Sequence, residues 1–147
     1  MKKNNTYKID EGSINPIVSE PSVYYSAPIT PQFSPTVKEF SYKEFKKIAN
    51  KSPFTMAEWA TLLYTSERTI QRYAQSNSSF TGLHLERILL LEKLIDAGNS
   101  FFGKEFYNWL HTKLFNLHYH KPFDFLDSYE GIQEIISLIH RTEQGIY

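Results

Sequence analysis

The chain has 147 residues, 16 Lys+Arg balanced by 16 Asp+Glu, 41% hydrophobic residues, 16% aromatics and no cysteine. That length suits one domain or two small ones, and the missing cysteine excludes a disulfide framework, a thiolate metal site and thiol catalysis. No apolar run reaches the roughly 18 residues that a membrane span needs, and MKKNNTYKIDEG has basic residues without an apolar stretch, unlike a secretory leader; a cytosolic protein is expected.

Residues 1–40 hold five of the seven prolines, Pro16, Pro21, Pro28, Pro31 and Pro35, among Ser, Thr and scattered apolar residues. Proline at this density blocks helix and central strand alike. A flexible extended tail is expected here, with Val23, Tyr24, Tyr25 and Ile29 available to dock on a neighbour. Order is expected from about Phe40. Ser41 with Glu44 has capping-box spacing, and SYKEFKKIAN would bury Phe45 and Ile48, expose Lys43, Lys46 and Lys47, and end before Ser52-Pro53.

The stretch TMAEWATLLYTSERTIQRYAQ, residues 55–75, reads as two short helices joined by a tight turn. Thr55 and Glu58 form a second capping box, and Trp59, Ala60, Leu62 and Leu63 follow with helical periodicity. Thr65 or Ser66 can cap the next helix, whose Ile70 and Tyr73 share one face. Small Ala60 and β-branched Ile70, ten positions later, stand where the helices of a helix-turn-helix touch. The turn of that motif often holds Gly, whose lack of Cβ allows a positive φ. Tyr64 takes that slot here, so a turn of another form is open. A helical hairpin with no DNA role fits the same pattern. Residues 41–80 carry six Lys+Arg against three Glu, whereas residues 81–147 carry six against nine acidic residues. The basic surplus is modest for phosphate binding, so a dimer or larger assembly would be needed on DNA.

LHLERILLLEKLIDAG is apolar too broadly for a surface stripe, which predicts a helix largely buried between domains or subunits, with Gly98 as its C-cap. KEFYNWLHTK would bury Phe106, Trp109 and Leu110, FNLHYHKPF looks irregular, and Pro122 opens a short helical turn. Asp127 with Glu130 gives a third capping signature. The last helix carries Ile132, Ile135, Ile136 and Ile139 on one face and stops at Gly145. The expected fold is all-α: a tail over 1–40, a helix-turn-helix domain over 41–80 and a helical domain over 81–147.

Over residues 55–147 the chain resembles the Xre/ParS/MbcA-like antitoxins of RES-type toxin–antitoxin systems. Ser66-Glu67-Arg68-Thr69-Ile70-Gln71-Arg72 resembles their recognition helix. Phe102-Gly103 and Trp109-Leu110 resemble two internal landmarks, and Lys121-Pro122 with Leu126-Asp127 a third. Gly131-Ile132, Leu138, Arg141, Glu143, Gly145 and Tyr147 resemble the family's ending. Two departures stand out. His118-Tyr119 replaces a common Gly-Gly, which predicts another path for that loop, and Thr142 replaces an aliphatic residue. The resemblance implies a non-enzymatic neutraliser that covers the active-site cleft of a cognate RES-type, NAD-consuming toxin, acts as a homodimer in a larger complex and represses its own promoter DNA.

Ser66, Arg68, Thr69, Gln71 and Arg72 are then the DNA-contact candidates. Arg pairs bidentately with guanine and Gln with adenine, while a helix N-terminus holds phosphate; a solvated helix face accounts for the same residues. Arg141, Glu143, Gly145 and Tyr147 are the toxin-contact candidates, the final ring and carboxylate suited to plugging a cleft. A helix end in which Arg141 answers the dipole fits as well. His118-x-His120 near Asp124 is a metal lure, but zinc takes three or four ligands, and no catalytic motif, metal site or cofactor site is expected. A stand-alone helix-turn-helix regulator and a helical interaction protein without nucleic acid are the remaining readings.

Overall fold

The structure, a computed structural model, describes residues 39–146; the tail expected over 1–40, save its last two residues, and Tyr147 lie outside the described residues. The described residues are mostly helical, as the periodicities require. They begin with one departure: β1, Phe40–Ser41, pairs antiparallel with β2, Ser79–Phe80. Two residues per strand carry no legible alternation. The pairing places Phe80 against Phe45, ring centroids 5.1 Å apart, and ties together the two ends of the segment between the strands.

Between these strands run three helices. Ser41 caps α1, Tyr42–Lys51, by accepting the Glu44 N–H. The capping box of Thr55 and Glu58 opens α2, Met56–Leu62, with both reciprocal bonds present. Ser66 opens α3, Glu67–Ser76. Phe45, Trp59, Leu63 and Ile70 are all 1% exposed or less. Phe45 meets Trp59 edge-on at 5.1 Å, an arrangement that suits the ring quadrupoles. The buried indole N–H of Trp59 donates to Ser52 Oγ at 3.0 Å, which removes the cost of leaving it unpaired.

The spine is α4, Gly82–Phe102. Its buried face carries Arg87, Ile88, Leu91, Leu94, Ile95 and Gly98, and its main partner is α6, Tyr129–Glu143, through Ile132, Ile135, Leu138 and Ile139. Gly98 does not cap α4. The helix runs one further turn, and Gly103, with φ 57°, takes that role. Gly98 serves packing instead, since a Cβ there would overlap the ring of Phe106. Phe106 belongs to α5, Phe106–Leu110, and a 3-10 turn over Pro122–Phe125 leads toward α6. The N-cap of α6 is Ser128, which accepts the Gly131 N–H at 3.0 Å, and not Asp127. Gly131 is required because a Cβ would overlap the carbonyl of Phe125. Residues 39–147 cluster as a single unit, with core residues drawn from both sides of Thr81.

Candidate functional site

Ile70 anchors α3 in the core, so the opposite side of the helix faces solvent. Arg68, Gln71 and Arg72 come together there with Gln75 along one shallow groove, the i, i+3, i+4, i+7 set of a single face. Among the described residues neither arginine is in an ion pair, so both guanidinium groups keep their donors for a partner. Ser66 and Thr69 stand apart from that set. Ser66 Oγ accepts the Thr69 N–H at 3.1 Å and pairs with the Thr69 hydroxyl at 3.0 Å. Their polar atoms are engaged in starting the helix.

The turn before α3 contradicts the expectation of another form. Tyr64 itself adopts the left-handed conformation, φ 57°. A side chain at positive φ costs roughly 1–2 kcal/mol, and Tyr64 is held there from outside the turn. Its hydroxyl donates to the carbonyl of Asp127, and Arg87 lies over its ring, Cζ 4.6 Å from the centroid. Arg87, 4% exposed, donates through Nε to Leu62 O and through Nη2 to Leu126 O, each at 2.6 Å. One buried side chain thus satisfies a carbonyl at the C-terminal end of α2 and another just before α6. The signal was in the sequence: Arg87 lies four and seven residues before Leu91 and Leu94, on the core face.

Glu58 makes a second tie. Beyond its cap, Oε1 accepts from the Tyr107 hydroxyl at 3.3 Å and pairs with His111 Nε2 at 3.0 Å. The His111 ring stacks on Phe123 at 4.7 Å. Burial, then the Glu58 charge, raises the Tyr107 phenol above its ordinary value of 10.0.

The end of α6 is closed by a Schellman motif. Ile146 N–H donates to Arg141 O and Gly145 N–H to Thr142 O, with Gly145 at φ 76°. Arg141, Glu143 and Gly145 are exposed around it, and Arg141 reaches back to Glu134 at 3.1 Å. Thr142 is half-buried because its hydroxyl donates to Leu138 O at 2.8 Å, which answers its polarity within the helix.

The loop at His118-Tyr119 also differs from its expectation. Both residues are left-handed, φ 56° and 64°, the conformation that paired glycines would favour, so no other path is needed. Leu114 and His120 form a bridge beneath them, and Phe115 and Tyr119 meet edge-on at 5.7 Å, 79% and 64% exposed. Sequence reading passed over this aromatic pair, because FNLHYHKPF has no period. Among the described residues no three His, Asp or Glu side chains gather to hold a metal, and no helix is long and apolar enough to cross a membrane.

No family model matches the chain, and no curated protein matches it. Among solved structures, a chain of the M. tuberculosis MbcT–MbcA toxin–antitoxin complex is similar with a TM-score of 0.59, over 72% of this chain and 96% of that one, at 19% sequence identity. The chain therefore has the fold of a component of that toxin–antitoxin complex.

Proposed function

We propose that the chain is the antitoxin of a type II toxin–antitoxin pair, a cytosolic, non-catalytic protein that neutralises a RES-type NAD-consuming toxin. It covers the toxin's active-site cleft with residues 141–147, the segment that starts in the last turn of α6. As a homodimer within a larger complex, it represses its own promoter through α3, the recognition helix of a helix-turn-helix. The shared fold with a component of the MbcT–MbcA complex carries this reading. Two surface features support it: the exposed groove of Arg68, Gln71 and Arg72, and the solvent-facing Arg141 and Glu143 beside a rigid helix stop.

The test is to look for an adjacent reading frame that encodes a RES-type toxin and to co-express that toxin with this chain; a solitary gene would count against the reading. The full chain should rescue growth and co-purify with the toxin, and deletion of 141–147 should abolish rescue while leaving thermal unfolding of the antitoxin unchanged. Intact rescue after deletion would refute the cleft-covering role. For the promoter, Arg68→Ala with Arg72→Ala should weaken binding by roughly 1–3 kcal/mol for each base-reading arginine removed. A chain that binds its promoter normally yet captures no toxin would be a stand-alone regulator, a reading that the exposed Arg68 and Arg72 of α3 also favour.

A further inference from the structure

The helix α4 is not covered on all sides. Away from its core face lie Leu83 and Leu89, 61% and 42% exposed, and Glu86, Leu89 and Lys93 line an open groove with Tyr129 at the start of α6, over Leu90, which is itself buried in the core. Among the described residues neither Glu86 nor Lys93 is in an ion pair. An apolar strip carrying two unpaired, opposite charges is costly to leave in water and specific in what it accepts.

The order of residues identifies what covers it. Glu86 and Lys93 are seven positions apart, two helical turns or about 10.5 Å along one face, and their midpoint falls between Leu89 and Leu90. A two-fold axis crossing the helix at that midpoint makes a second α4 antiparallel. It sets Glu86 of each copy opposite Lys93 of the other, brings each Leu89 against its equivalent, and leaves Tyr129 at the margin. Such self-complementarity is the defining property of an isologous contact. We propose that this face of α4 is the two-fold interface of a homodimer, with a second copy of this chain as its occupant. The inference deepens the homodimer of the proposed function by naming the surface.

The experiment is sedimentation of the full chain across a concentration series, read beside toxin capture in the same samples. The wild type should reach twice the 17.2 kDa chain mass. Lys93→Glu sets carboxylate against carboxylate twice per dimer and should raise the dimer dissociation constant roughly tenfold. Adding Glu86→Lys to Lys93→Glu reverses both signs and should restore the wild-type value. Both positions are solvent-facing, and an unchanged circular dichroism melt verifies folding. Leu89→Cys, in a chain without other cysteines, should give a covalent dimer with a short bismaleimide, whereas Lys43→Cys should not. A monomer at every concentration, a dimer indifferent to Lys93→Glu, or no rescue by the reversed pair would overturn the interface. Loss of toxin capture with the dimer intact would instead overturn the antitoxin reading alone.

Discussion

Arg87 is a cation among leucines, and its partners are backbone carbonyls rather than carboxylates. Helix C-terminal carbonyls carry partial negative charge, so they suit a guanidinium that presents several donors in one plane. Arg87→Met keeps the stem and leaves Leu62 O and Leu126 O without that donor. We expect a loss of about 2–4 kcal/mol in urea unfolding, and Arg87→Lys to recover only part of it, because one ammonium lacks the fork that spans both oxygens. Gly98 tests packing in the same way. Gly98→Ala should destabilise by about 1–3 kcal/mol through overlap with Phe106, and Phe106→Leu in the same chain should offset part of that loss. At this scale the sequence was legible where a residue acts on its own backbone: Thr55, Glu58 and Ser41 cap as their spacing requires, and Ser66 is the one of the two candidates, Thr65 and Ser66, that caps α3. It was not legible where a role depends on a distant partner. Gly98 reads as a stop until Phe106 is folded against it, and Tyr64 reads as a poor turn residue until Arg87 and Asp127 hold it.

Among the elements, the hairpin from Leu114 to His120 keeps two side chains at positive φ with both rings of the Phe115–Tyr119 pair in solvent. Strain of this kind, unrelieved by burial, points to a role in contact with another molecule, and exposed aromatics are common anchors of protein interfaces. Tyr119→Gly should therefore raise stability by up to about 1 kcal/mol while weakening toxin capture, measured by denaturation and by titration of the same variant. Unchanged capture would remove the hairpin from the contact surface. Beside their shared core, α1 and α4 are tied by charge: Lys51 Nζ lies 2.8 Å from Asp96 and 2.9 Å from Glu92. Hydrogen bonds from Lys51 to Asp96, then to Glu92, raise its ammonium above the ordinary 10.5. The folded chain then holds this proton more tightly than the unfolded chain. The contribution of Lys51 is complete below pH 10.5 and is lost as pH rises through the folded value. Lys51→Met should lower the urea midpoint slightly at neutral pH, and the gap to wild type should close in strong alkali.

Across the whole molecule, the arrangement of charge links the two proposed activities. Residues 41–80 carry the basic surplus and residues 81–147 the acidic one, so the surface that meets phosphate and the surface that meets protein differ in sign. The surplus within one copy is small, and phosphate binding scales with the number of phosphates neutralised. Two copies joined through α4 double that number without any change in α3. If Arg68 and Arg72 each neutralise one phosphate, the logarithm of promoter affinity should fall against the logarithm of salt concentration with a slope of about −4 for the dimer and about −2 for a single copy. Lys93→Glu lies on the far element and touches neither arginine, so its effect on that slope can come only through assembly. Affinity measured for wild type, for Lys93→Glu and for the reversed Glu86→Lys with Lys93→Glu chain should give the steep, the shallow and again the steep dependence. A slope that stays steep in a chain shown to be monomeric would mean that α3 is not the surface that meets the duplex, and that lysines elsewhere, Lys43, Lys46 and Lys47 on α1 first among them, neutralise the phosphates instead.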